Sequence, residues 1–239
     1  SVLGRFKEAR ADYDAATAAS TGNRKATLGM YRAHAHLFEG NPKAAIDELA
    51  ALTKAVDGMN IPGPLDIKKA IIGEQALVAF HFNMISELER VTAELNAIWS
   101  QQQKQVNTPE FTRQATFSIA LNEGYVAALR GDFSAAKAKA AAAKQIRQVE
   151  RAANKDRPVH QLLATIAFKE KRWADVIQEL DQGNPQARYN WYLRARVAEE
   201  LQQPAEAQKY YQMLANTYFN DPAIAIVRNE VLKKVGKAS

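Results

Sequence analysis

Apolar residues recur along this chain at alternating steps of three and four, the spacing that lays one buried stripe along an α-helix. After Gly4-Arg5 the stripe is Phe6, Ala9, Tyr13 and Ala16, and after Gly40-Asn41-Pro42 it is Ala45, Leu49 and Leu52. After Gly131-Asp132-Phe133 it is Ala136, Ala140 and Ala143, and after Gln202-Gln203-Pro204 it is Ala207, Tyr210, Tyr211, Leu214, Ala215 and Tyr218. Extended to the whole chain, the pattern predicts helices near 5–20, 24–39, 42–57, 66–82, 84–104, 110–130, 133–153, 158–170, 173–182, 187–201, 204–219 and 222–235. Breakers stand between them: Gly58, Pro62, Gly63, Pro64, Pro109, Pro158, Gly183 and Pro185. No strand pattern competes.

The stripes follow a recurring turn. Gly4, Gly40 and Gly131 each precede a helix start, and Lys171-Arg172-Trp173 and Gln202-Gln203-Pro204 are weaker copies, with a further pair turning near Asn83. The spacing is uneven: 36 residues from Gly4 to Gly40, 48 from Asn83 to Gly131 and 31 from Lys171 to Gln202. Gly124, inside the helix before Gly131, is predicted to allow a close helix approach. The first copy matches the second helix of a pair, so residues 1–20 read as a partial or N-capping repeat. Residues 222–239 read as a C-terminal capping helix with one wet face, where Val231, Leu232 and Val235 alternate with Lys233, Lys234 and Lys237.

Trp191, Tyr192, Ala195, Ala207, Tyr211 and Pro222, together with Gly124, Gly131, Asp132, Phe133, Ala136 and Ala143, resemble the tetratricopeptide repeat, a helix-turn-helix unit of about 34 residues. The resemblance implies one all-α domain over residues 1–239, a right-handed solenoid of stacked antiparallel helix pairs. It also implies that first helices line a concave groove. On that alignment Met30, His34, Leu121, Tyr125, Gln161 and Thr165 face the groove, as do Tyr189, Tyr192, Arg196 and Glu199 on the first helix of the last pair. The Lys and Asn residues with which some members hold a C-terminal carboxylate do not recur, so no such clamp is expected. Gln101–Gln105 and Pro62-Gly63-Pro64 are read as loops at one end of the groove.

Composition narrows the chemistry. With 47% hydrophobic and 24% charged residues the chain has the makings of a packed core. The absence of Cys removes disulfides, thiol nucleophiles and cysteine-ligated metals. There is no Gly-rich phosphate loop, Gly-x-Ser-x-Gly elbow or His-Glu-x-x-His pair. The four histidines, His34, His36, His81 and His160, do not share a metal-binding spacing. No enzyme, cofactor or metal is therefore expected.

The net charge of +6 raises nucleic acid as a partner. Lys137, Lys144 and Arg151 recur every seven residues, as on one helix face, and Lys139, Arg147, Lys155 and Arg157 add to the same stretch. No aromatic residue lies among them to stack on a base, so an acidic protein is the better-matched partner. The reading that follows is a non-catalytic scaffold holding a protein or peptide in the groove. Its alternatives are the scaffold or sensor part of a larger enzyme or regulator, and a nucleic-acid-binding solenoid using the basic face. No apolar run is long enough to span a bilayer. The start without Met and the lack of Cys are read as those of an exported, periplasmic bacterial protein rather than a cytoplasmic one.

Overall fold

The structure, a computed structural model, describes residues 4–217 and 220–236. Among the described residues there are twelve α-helices and no strand. They are α1 (Phe6–Ala18), α2 (Asn23–Phe38), α3 (Pro42–Ala55), α4 (Pro64–His81), α5 (Ile85–Val106), α6 (Pro109–Arg130), α7 (Phe133–Ile146), α8 (Arg157–Lys169), α9 (Trp173–Gln182), α10 (Arg188–Glu200), α11 (Pro204–Ala215) and α12 (Pro222–Lys234). A short 3-10 turn, Val56–Gly58, follows α3. No helix among the described residues is long and apolar enough to cross a membrane.

Five connections share one backbone solution. Gly40, Asn83, Gly131, Lys171 and Gln202 all have positive φ, between 55° and 80°. In each, the next residue's N–H reaches back five positions: Asn41 to the His36 carbonyl at 2.8 Å, Met84 to Ala79 at 2.8 Å, Asp132 to Ala127 at 3.0 Å, Arg172 to Ala167 at 2.9 Å and Gln203 to Ala198 at 2.8 Å. This left-handed C-terminal cap uses carbonyls that the helix itself leaves unpaired. Two of the following helices are then capped by the next side chain, Asn41 Oδ1 accepting from the Ala44 N–H at 3.1 Å and Asp132 Oδ1 from Ala135 at 2.9 Å. The turns marked in the sequence are thus the sharp joints of successive helix pairs. Their uneven spacing is helix length: α5 and α6 have 22 residues each, whereas α9 has 10 and α10 has 13.

The chain divides into two compact units, one formed by residues up to Val91 together with those from Gln212 onward, the other by Thr92–Tyr211. Both divisions fall inside helices, α5 and α11. In the first unit, α1 to α4 pack each on the next. Ala33, Leu49, Val56, Ile61 and Ile71 form a buried cluster, with Met30, Leu52, Met59 and Ile67 against it. Buried Gln75 donates to Thr53 Oγ1 at 3.1 Å, and Thr53 donates to the Leu49 carbonyl at 2.9 Å, so the polar groups inside this core are used.

The same unit holds α12, which packs on α2 and α4. Asn229 Nδ2 donates to the Phe38 carbonyl at 3.1 Å, nearly two hundred residues away in sequence. Arg228 is buried and donates to the Ala215 carbonyl at 2.9 Å, closing the end of α11. Ala223 to Arg228, Val231 and Leu232 are all buried, and the wet side read from the sequence narrows to Lys233 and Lys234 in the last turn, while Lys237 lies outside the described residues.

In the second unit, Phe117, Ala120, Leu121 and Ala128 of α6 meet Ala136, Ala140 and Ala143 of α7 and Val159, Leu162 and Ile166 of α8. The alanine stripe brings α7 close to its neighbours, and Gly124 does the same for α6 and α8: a Cβ there would lie 2.5 Å from Leu162 Cδ2. Two sequence expectations change. Gln101–Gln105 is not a loop but the last turns of α5. The helix predicted over 133–153 ends at Ile146, because Lys155 Nζ donates to the carbonyls of Glu150 (2.8 Å) and Gln148 (3.2 Å) and holds an irregular connection there. The basic face of Lys137, Lys144 and Arg151 therefore does not exist as one helical surface. Tyr211, Leu214 and Ala215 of the α11 stripe are buried, while Tyr218 lies outside the described residues.

Candidate functional site

The residues expected on first-helix faces fall into four settings. On α2, His34 is 1% exposed, its Nε2 is 2.9 Å from Glu74 Oε2, and Met30 packs on the neighbouring core. Around them runs a polar chain: Arg32 pairs with Asp14 at 2.7 Å and with Glu48 at 2.5 Å, His36 Nε2 lies 2.8 Å from Glu48, and Arg10 bonds Glu39 at 2.6 Å. Arg10 holds the Glu39 carboxyl below the usual carboxylate range, against the opposing effect of burial. These groups tie α1, α2 and α3 together and hold α2 to α4. Among the described residues no group of three or more His, Asp or Glu is placed to hold a metal ion.

On α6 and α8, Leu121 and Thr165 are buried and Tyr125 packs against the same core. Burial pushes the Tyr125 phenol up, and its hydrogen bond with Thr165 offsets this only in part, so the hydroxyl stays protonated. Thr165 also donates to the Gln161 carbonyl at 2.9 Å.

On α10 the sequence-selected residues form one connected group. The Tyr189 and Tyr192 rings lie 5.7 Å apart, Arg196 Nη1 donates to the Tyr192 hydroxyl at 2.9 Å, and Arg196 Nε is 3.5 Å from Glu199 Oε2. Tyr211 donates to that same Glu199 oxygen at 2.9 Å. Tyr192 is only 4% exposed and serves as the support, whereas Tyr189, Arg196 and Glu199 are half-buried. A guanidinium over a ring, 5.8 Å from its centroid, completes the arrangement.

The remaining first-helix residue, Gln161, lines a cavity of about 430 Å³ with Arg147, Asn154, Lys155, Arg157, Pro158 and Asn184. This cavity lies where the irregular connection after α7, the first turns of α8 and the connection after α9 meet. Sequence reading singled out Gln161 and the cations, but as groove and helix face. Asn154 and Asn184 had no distinguishing pattern, and the helix overrun hid the bend that gathers them. Arg147 Nε and Nη2 bond Glu150 Oε2 at 2.8 and 2.5 Å, and the guanidinium lies 4.7 Å from the Phe117 ring centroid. That pairing holds the Glu150 carboxyl below its usual range, with Arg113 and Lys155 acting in the same direction.

No protein-family model matches the sequence, and no curated protein matches it. The backbone is similar to the crystal structure of a tetratricopeptide repeat protein from Parabacteroides merdae ATCC 43184, with a TM-score of 0.50 and 13% identity over 98% of this chain and 79% of that one. At that identity the likeness speaks of fold alone. Taken with the five identical helix-pair joints, it gives the chain a tetratricopeptide-repeat-like, all-α solenoid fold.

Proposed function

We propose that the protein is a non-catalytic interaction module that binds a segment of another protein, with the α10 face in the second unit as a principal contact. The observation that supports this is the fixed placement of Tyr189 and Arg196: both are accessible, and the Tyr192 hydroxyl and Glu199 hold the guanidinium in place. Aromatic and Arg side chains dominate contact energies at interfaces. Side chains already ordered before binding lose less freedom on contact. Scaffolding is also the usual role of helical-repeat folds, whose successive pairs offer several shallow contacts to an extended partner. The excess of cations favours an acidic segment.

Acidic, neutral and basic synthetic peptide panels, titrated onto the full chain, test this reading. Acidic peptides are expected to bind, and Tyr189→Ala and Arg196→Ala should each weaken them by roughly tenfold or more. Tyr192→Ala is unsuitable, since removing a buried ring would also destabilise the unit. Unchanged affinity in both variants, with native circular dichroism, rules the α10 face out.

A further inference from the structure

The cavity beside the start of α8 has a charge and polarity that packing does not account for. Of its lining cations, two are fixed and one is unspent. Arg147 is held by Glu150 and by the Phe117 ring, and Lys155 is held by two main-chain carbonyls. The Arg157 side chain has no hydrogen bond or ion pair with any described residue, and neither do the side-chain amides of Asn154 and Gln161. The lining holds three cations and no carboxylate, and Glu150 offsets one of them, Arg147. Asp156 buries its Oδ1 and is not part of the lining. Lys155 and Arg157 therefore remain as two lining cations that no carboxylate pairs.

The lining also limits what would occupy the space. Pro158 is its one apolar residue, and no aromatic ring is present to stack on a base. The volume falls within the range of small-molecule sites and exceeds what a bare inorganic ion fills. Amide groups both donate and accept, which matches hydroxyls as well as anionic oxygens.

We propose that this cavity is a binding site for a small hydroxylated organic dianion, a phosphate monoester or dicarboxylate, held by Arg157, Lys155 and the Gln161 amide. Arg157 supplies the unpaired clamp and Lys155 the fixed charge, while Arg147 has its charge offset by Glu150, which takes its Nε and Nη2 donors. The site uses residues other than the α10 face, so it stands or falls independently of peptide binding.

The experiment is titration calorimetry of the full chain with glucose 6-phosphate, malate, inorganic phosphate and glucose, paired with NMR of the side-chain amides. One of the two organic dianions should bind with one-to-one stoichiometry and shift the Gln161 amide. Binding of glucose 6-phosphate alone assigns the phosphate class, and of malate alone the dicarboxylate class. Arg157→Gln, at an exposed position, should weaken binding about tenfold or more, the effect of losing a charge-assisted hydrogen bond. Lys137→Gln, which removes an exposed cation of α7 paired with Glu170, should leave affinity unchanged. No binding of either dianion overturns the proposal. So does an equal loss in the two variants, which would mean general charge attraction, or inorganic phosphate binding as tightly as the organic dianions.

Discussion

At the scale of single residues, the five left-handed joints carry the most information. A side chain with a Cβ is strained at positive φ, and Lys171 and Gln202 occupy positions that glycine fills at Gly40 and Gly131. Lys171→Gly and Gln202→Gly should therefore each stabilise the protein, by about 0.5–1 kcal/mol, visible as a rise of roughly 1–4 °C in Tm. Gly131→Ala should do the reverse by a similar amount, although nothing crowds a Cβ there. The helical glycines separate differently. At Gly124 a methyl meets fully buried Leu162, so Gly124→Ala should lower stability by about 1–3 kcal/mol despite its better helix propensity. At Gly29 a Cβ would meet Leu52 Cδ1 at 2.8 Å, but Leu52 is only half-buried and can turn aside. Gly29→Ala should be close to neutral. Thermal melts of the pair compare a closed neighbour with a yielding one. The turn positions and Gly124 were legible because backbone sterics act on the residue itself. The burial of His34 and Tyr192 was not, because neighbours from other segments produce it.

At the scale of elements, helix starts were read more accurately than helix ends. Starts are written in local chemistry: Asn41, Thr108, Asp132 and Asp221 each accept a main-chain N–H of the first turn. The end of α7 has no Gly or Pro to mark it. It is set by Lys155 reaching back to Gln148 and Glu150, a contact between residues whose helical propensity would have carried the helix onward. α12 shows the same limit. Its sequence suggests a half-wet helix, yet α2 and α4 bury it, and Arg228 inserts its guanidinium at the end of α11. Arg228→Ala leaves buried carbonyls without a donor, so a loss of about 1–3 kcal/mol is expected in urea unfolding. Arg228→Lys should recover only part of it, because Nη1 alone reaches the Leu214, Ala215 and Thr217 carbonyls and the shorter lysine stem does not bring its ammonium to that point.

At the scale of the whole molecule, ion pairs at the surfaces of both units set the response to acid. Arg10, Arg147 and Lys137 hold the carboxyls of Glu39, Glu150 and Glu170 below their ordinary value of 4.5. A carboxyl depressed in the folded state contributes stability above its unfolded pKa and loses it as pH falls through the folded one. Tm should thus be level with respect to these groups above about pH 5 and decline below it, modestly, because the pairs are exposed and screened. Replacing all three by Gln should flatten part of that decline; an unchanged slope would place the acid sensitivity elsewhere. The order of helices, their pairing at recurrent turns and the all-α class were determined by the sequence alone, since apolar period and turn sterics are properties of contiguous residues. Tertiary structure alone decided that α12 lies on α2, that Tyr192 is buried, and that the cations after α7 gather around a cavity instead of lining a helix. Each depends on segments far apart in the chain, whose meeting is a matter of packing volume and hydrogen-bond closure that no local pattern encodes.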